Sequence, residues 1–187
     1  MSLEHAMLGF LQFTPLSGYD MKKMFDTSVR HFWAADQSQI YRTLARLIND
    51  ELIWSETIIQ DSRPNSKVYH ITQKGKKEFN KWLTSSVTPV EPRISWLIQV
   101  FFSGGLSDEE FIHFMEEISS KIKHLMKEYE EDGNKDELIF DNKKSKRDLF
   151  FHKLTLDYGL TMNKNMINWI EKTIERVKNK EYLQMGE

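Results

Sequence analysis

The chain has 187 residues, of which 40% are hydrophobic, enough for a buried core in one large domain or two small ones. It contains no cysteine, which excludes a disulfide, a thiolate nucleophile and a cysteine-ligated metal. The formal net charge of −2 argues against a protein that coats nucleic acid without selectivity. Residues 1–86 are nevertheless slightly basic, with eleven Lys or Arg against nine Asp or Glu, so this half is the candidate for contact with nucleic acid.

The N-terminus lacks the basic segment of a signal peptide, and no apolar run approaches the roughly 20 residues that a membrane-spanning helix needs. We therefore expect a cytoplasmic protein that makes no membrane contact.

Three short helices are predicted before residue 50. The first has apolar residues at helical spacing from Leu3 to Leu11 and ends near Pro15. Ser17 with Asp20 is the capping pattern that begins a second helix, and Asp36 with Gln39 is the same pattern before a third helix over residues 37–49. The apolar face of the second helix is assigned to Tyr19, Met21, Met24, Phe25 and Val29, and that of the third to Ile40, Leu44 and Leu47.

A β-hairpin and a closing helix follow. Residues 52–60 and 67–71 have the composition and alternation of strands, and the turn-forming residues between them predict a polar, basic hairpin tip. Thr72 is placed to cap a helix that runs through Leu83. Its apolar residues, which we expect to close the domain, are Phe79, Trp82 and Leu83.

The C-terminal half is predicted to be helical throughout, after a boundary at residues 85–92. Beyond a short apolar helix, Ser107 with Glu110 caps a long helix, and a last helix runs from about Ser145 to about Tyr182. One apolar seam comprises Phe111, Met115, Ile118, Ile122, Leu125 and Tyr129, and a second comprises Leu149, Leu156, Leu160, Ile167, Ile170, Ile174 and Val177. The apolar surface of two such seams is larger than so small a domain can easily bury within one chain. We therefore expect a homodimer through residues 107–131 and 145–182.

Together these elements predict a mainly α protein in two domains. Residues 1–86 form a winged helix-turn-helix with a two-stranded β-wing, and residues 87–187 form an α-helical dimerisation domain. The third helix enters the major groove, and the wing lies against the phosphates. The residues assigned to DNA binding are Ser17, Tyr19, Gln37, Ser38, Gln39, Tyr41, Arg42, Arg46, Arg63 and Lys67.

Several segments resemble the N-terminal signature of the PadR family of transcriptional regulators. They are residues 16–20, Phe32-Trp33, residues 37–44 and residues 67–72, in that order, and residues 154–159 are similar to the C-terminal domain of the family's long subfamily. The resemblance implies a dimeric repressor that binds double-stranded DNA at a dyad operator. A small-molecule effector would release the repressor from this operator. The family commonly has proline at the position of Ala34, so the turn before the third helix loses a preset φ angle.

Aromatic side chains could bind a small aromatic or cationic effector, and Phe32, Trp33 and Trp96 are the candidates; they could equally fill the core and the dimer interface. The six histidines lack the spacing of a metal site, so neither a metal nor a cofactor is expected. No catalytic residues are assigned, because the chain has no phosphate-binding loop or nucleophile elbow. The alternative function is a winged-helix dimer that serves as a protein-interaction scaffold without binding DNA.

Overall fold

The computed structural model describes residues 2–59, 65–86, 93–139 and 145–184, with the side chains of these residues except Ser2 and residues 132–139. Contacts divide the chain into two compact units, Met1–Val87 with Asp132–Leu156 and Thr88–Glu131 with Asp157–Glu187. This grouping differs from a simple division after residue 86, because the end of one long helix and the beginning of the next belong to the first unit.

The first unit contains the predicted helices and hairpin. In chain order its elements are α1 (Ser2–Phe13), β1 (Leu16–Ser17), α2 (Gly18–Met24), α3 (Gln37–Asn49), β2 (Ile53–Ile58), β3 (Ser66–Ile71) and α4 (Gln73–Leu83). A π-helical turn, Phe25–Val29, continues α2. The prediction of a mainly helical winged-helix fold is confirmed, and α3 has the predicted bounds.

The sheet has a third strand that the sequence did not predict. Its strand order is β1-β3-β2, and both pairings are antiparallel. Leu16 lies opposite Tyr69 and Ser17 opposite Val68, so β1 joins the start of α2 to the wing. A strand of two residues is too short to produce an alternating pattern, which explains why sequence reasoning missed it.

One apolar core lies between the sheet and the helices of the first unit. Its largest fully buried side chains are Met7, Leu8, Met21, Phe25, Ile40, Leu44, Leu47 and Ile53. Two residues that were predicted to be apolar-face residues are not buried: Tyr19 is 71% exposed and Leu83 is 58% exposed. Tyr19 lies on the side of α2 opposite Met21, and Leu83 is the last residue of α4.

Two contacts outside the core connect elements of the first unit to one another. The ring of His5 in α1 stacks on Trp82 of α4, with centroids 4.6 Å apart. Thr72 caps α4 by accepting a hydrogen bond from the Gly75 N–H at 3.0 Å, and it donates its hydroxyl to the Glu51 carbonyl at 2.9 Å. This double role of Thr72 ties the beginning of α4 to the turn after α3.

The second unit contains α5 (Ser95–Phe101) and parts of two long helices, α6 (Asp108–Ile139) and α7 (Lys146–Lys178). Its core is formed by Phe111, Met115 and Ile122 of α6 packed with Ile170 and Ile174 of α7. α7 of the same chain therefore covers part of the α6 seam, of which Ile118, Leu125 and Tyr129 are only partly buried, and the expected homodimer stays a prediction. Large apolar residues remain exposed elsewhere. They are Ile98 and Phe101 of α5, Phe102 directly after it, and Phe151, Tyr158, Met162 and Trp169 of α7.

Candidate nucleic-acid interface

The outward face of α3 is the candidate surface for contact with DNA. Its inner face is fixed by Ile40, Leu44 and Leu47, which are buried in the core of the first unit. The opposite face presents exposed residues at intervals of four, three and four, namely Ser38, Arg42, Ala45 and Asn49, and we call these the α3 ridge. Ser38 and Arg42 were predicted from the sequence. Ala45 and Asn49 were missed, although the same helical spacing would have identified them.

A capping box holds the N-terminus of α3. The Asp36 carboxylate accepts hydrogen bonds from the Gln39 N–H and the Ser38 hydroxyl, both at 2.7 Å, and the Gln39 amide oxygen accepts from the Asp36 N–H at 3.0 Å. The Ser38 hydroxyl, followed by the Gln39 N–H, lowers the pKa of Asp36 below its ordinary value. A two-point contact of Gln39 with adenine would use this same amide oxygen, so adenine would have to share it with the Asp36 N–H.

The two arginines of α3 differ in their partners. Arg42 lies along the α3 ridge, where its Nε and Nη2 donate to the Ser38 carbonyl and hydroxyl at 3.3 and 3.4 Å. Arg46 instead forms an ion pair with Glu4 of α1. Both side chains are exposed, but only Arg42 lies on the ridge; a contact of Arg46 with phosphate would compete with Glu4.

Tyr41 contacts the beginning of α2. A Cβ atom built on Gly18 would lie only 2.6 Å from Tyr41 Cε1 and 2.8 Å from the Tyr41 hydroxyl oxygen. Burial raises the pKa of the Tyr69 hydroxyl on β3, and the charge of a nearby Tyr41 phenolate would add to that effect. Tyr41 is thus placed beside both α2 and the wing strand, with part of its ring exposed.

The remaining helix residues of the prediction lie at or near helix N-termini. The Ser17 hydroxyl caps α2, accepting from the Asp20 N–H at 3.1 Å and donating to the Asp20 carboxylate at 2.6 Å. Tyr19 and Gln37 are both exposed in the first turns of α2 and α3. Ser17 therefore has a structural role that a contact with DNA would have to share, whereas Tyr19 and Gln37 are accessible.

The wing contributes Lys67 on β3. Its side chain is exposed, lies opposite Thr57 of β2, and places Nζ 5.8 Å from the centroid of the Tyr69 ring. Arg63, the other predicted wing residue, lies outside the described residues.

The three effector candidates do not belong to one unit. Phe32 and Trp33 lie in the first unit and are 49% and 40% exposed, while Trp96 lies in the second, with its ring centroid 5.8 Å from that of Trp169. Within the described ranges, no group of three or more His, Asp or Glu side chains could hold a metal ion. No helix in that part of the chain is long and apolar enough to cross a membrane.

Comparison with known proteins identifies relatives over nearly the whole chain. Residues 7–81 match the Transcriptional regulator PadR-like family, and residues 92–178 match the Virulence activator alpha C-term family. The negative transcriptional regulator PadR of Bacillus subtilis is 29% identical over 181 residues, covering 94% of this chain and 97% of the relative. Its crystal structure with operator DNA has a TM-score of 0.77 at 28% identity, and that with p-coumaric acid a TM-score of 0.73 at 26% identity. Each covers 95% of this chain and 99% of the other.

Proposed function

Because the chain belongs to the PadR-like family of transcriptional regulators, which are not enzymes, we propose that it represses transcription by binding a specific DNA operator as a homodimer. The α3 ridge is the observation that supports this most directly. It presents the arginine Arg42 and the polar residues Ser38 and Asn49 on a helix whose other face is fixed in the core. Such side chains read base edges when a helix enters the major groove.

Specificity and affinity divide between the ridge and the wing in this proposal. Ser38, Arg42 and Asn49 contact bases, while Lys67 and Arg63 neutralise phosphates beside the groove. Gln37, Tyr19 and Ser17 lie at helix N-termini, where they position the protein against the backbone. Gln39 contributes chiefly by holding the end of α3 through its bond to Asp36.

The homodimer is supported by the apolar residues that the chain leaves exposed. Tyr158, Met162 and Trp169 are separated by four and seven residues and therefore share one face of α7 within the second unit. Large exposed apolar residues grouped on one helix face are typical of a protein-protein contact. Two subunits related by a two-fold axis would present two copies of the α3 ridge, so the operator is an inverted repeat.

We further propose that a small aromatic molecule releases the protein from its operator. The relative with known operator and p-coumaric acid complexes suggests this ligand class. Phe32 and Trp33 stand exposed before α3, where a bound aromatic ring would disturb the beginning of the DNA-contacting helix.

The salt dependence of duplex binding tests the proposal. A dimer that neutralises phosphates must lose affinity steeply as salt rises, and the logarithm of its binding constant falls linearly with the logarithm of salt concentration. A protein-interaction scaffold would show no binding with such a slope.

Addition of p-coumaric acid to the protein–DNA complex tests the proposed effector, with release of DNA as the expected result. Retention of DNA at saturating ligand would reject that effector while leaving DNA binding intact.

A further inference from the structure

Gly18 is the first residue of α2, and the backbone conformation at this position does not require a glycine. It is buried, and no glycine in the described part of the chain has a positive φ angle. Alanine is the better helix former and would fit the same backbone conformation. Neither conformational freedom nor helix propensity therefore explains a glycine at this position.

The ring of Tyr41 does explain it. A Cβ on Gly18 would lie 2.6, 2.7 and 2.8 Å from Cε1, Cζ and the hydroxyl oxygen of Tyr41. These separations are far below the 3.5–4.0 Å at which carbon atoms attract one another, so any larger residue at position 18 must displace the ring. Tyr41 directly precedes Arg42 of the α3 ridge, so its ring lies where α3 packs against the beginning of α2.

The same contact reaches the wing through β1. Ser17, the neighbour of Gly18, pairs with Val68, and Leu16 pairs with Tyr69 on the strand that also carries Lys67. The Lys67 ammonium lies 5.8 Å from the centre of the Tyr69 ring. The Gly18–Tyr41 contact therefore lies where α2, α3 and the wing strand meet.

We propose that Gly18 is a positioning residue for operator recognition, because the Tyr41 ring seated on it sets the placement of the α3 ridge relative to the wing. This inference rests on the proposed DNA binding. It gives Tyr41 a supporting role in place of the direct DNA contact predicted from the sequence. Specific binding requires ridge and wing to reach bases and phosphates together, whereas binding to random duplex needs only the phosphates. Loss of the contact should therefore reduce the preference for the operator more than it reduces binding to DNA in general.

A double-mutant cycle tests the inference. Affinities for the operator selected by the wild type and for a random duplex of equal length are measured for Gly18→Ala, Tyr41→Ala and the double variant, each corrected for its active fraction. Gly18→Ala should reduce the operator-to-random ratio by about tenfold or more, comparable to the loss of one good base contact. In the Tyr41→Ala background, which has no ring to displace, the same change should alter the ratio by less than about twofold.

Two control variants separate positioning from other effects. Tyr41→Phe retains the ring and should keep the ratio within about twofold of the wild type. Gly104→Ala, at a glycine with nothing within 4 Å of its missing Cβ, should change nothing. Equal effects of Gly18→Ala with and without the Tyr41 ring would overturn the inference, as would equal losses on both duplexes or a Tyr41→Phe as damaging as Tyr41→Ala. A wild type with no selectivity for any duplex would instead refute the proposed function itself.

Discussion

The polar residues at the beginning of α3 form hydrogen bonds with one another. The Asp36 carboxylate accepts from Ser38, and Arg42 donates to the Ser38 carbonyl and hydroxyl. This network restricts the rotamers of Ser38 and Arg42, so under the proposed function it would lower the entropy lost when they contact a base. Such a contact would exchange existing hydrogen bonds for new ones, and specificity would then depend on geometry more than on the number of hydrogen bonds.

Lys67→Ala should weaken binding to every duplex by a similar factor. Its exposed ammonium on β3 is placed for phosphate contact, and the loss of one contact from each of the two subunits lowers the salt slope by about two units. Fluorescence anisotropy over a range of salt concentrations measures both quantities. Lys121→Ala is the matched control, since Lys121 is an exposed lysine of α6 in the second unit and should leave the slope unchanged. A Lys67→Ala protein with the wild-type slope would remove the wing from the interface.

Among the secondary-structure elements, those with strong local signals were predictable. The capping residues Ser17, Asp36, Thr72 and Ser107 each accept the expected hydrogen bond from the helix that follows, and the buried face of α3 follows from its spacing alone. What depends on distant partners was not predictable. The pairing of β1 with β3, the contact of Arg46 with Glu4 and the ring of Tyr41 over Gly18 all join segments far apart in the sequence, where a local pattern contains no information about the partner.

The junction between α4 and the turn before β2 should tolerate no side chain at Gly75. A Cβ there would lie 2.2 Å from the Leu52 carbonyl oxygen, which is backbone and cannot rotate away. Gly75→Ala should therefore lower the free energy of unfolding by roughly 1–3 kcal/mol, the usual cost of overpacking. Chemical denaturation measures this change, with Gly104→Ala as the matched control because open space surrounds that position. Equal stability of the two variants would contradict this packing.

The first unit should be less stable in acid because His31 is partly buried. His31 follows the π-helical turn, and burial lowers its pKa below the ordinary 6.5, outweighing a hydrogen bond with the Thr155 backbone that favours the charged form. The folded state thus binds this proton less readily than the unfolded state, so stability is complete above pH 6.5 and falls as the pH drops below it. Thermal unfolding between about pH 7.5 and 5.5 measures the loss.

Replacement of His31 isolates its share of this pH dependence. His31→Gln, which has no charge to gain, should show a smaller drop in melting temperature between the two pH values than the wild type. His113→Gln removes a well-exposed histidine of α6 and should preserve the wild-type dependence. An unchanged drop in His31→Gln would show that burial of His31 contributes nothing to acid sensitivity.

For the whole molecule, the exposed face of α7 predicts association. Light scattering should give twice the 22.3 kDa chain mass at micromolar concentration. Tyr158→Glu with Met162→Glu should shift the protein towards the monomer, because two charges would lie in a desolvated apolar contact. Thr161→Glu adds a single negative charge at an exposed polar position on the same helix and should leave the dimer intact. A wild type that remains monomeric would refute the dimer.

Selection of binding sites from a pool of random duplexes tests the account most directly. The purified wild-type chain should retain an inverted repeat whose half-sites lie about one helical turn apart, roughly 34–36 Å, because a two-fold dimer presents two α3 ridges. Arg42→Ala should relax selection at particular positions within each half-site. Retained sequences without dyad symmetry, or an Arg42→Ala protein that selects the same sequences with the same stringency, would contradict the assignment of this face to DNA.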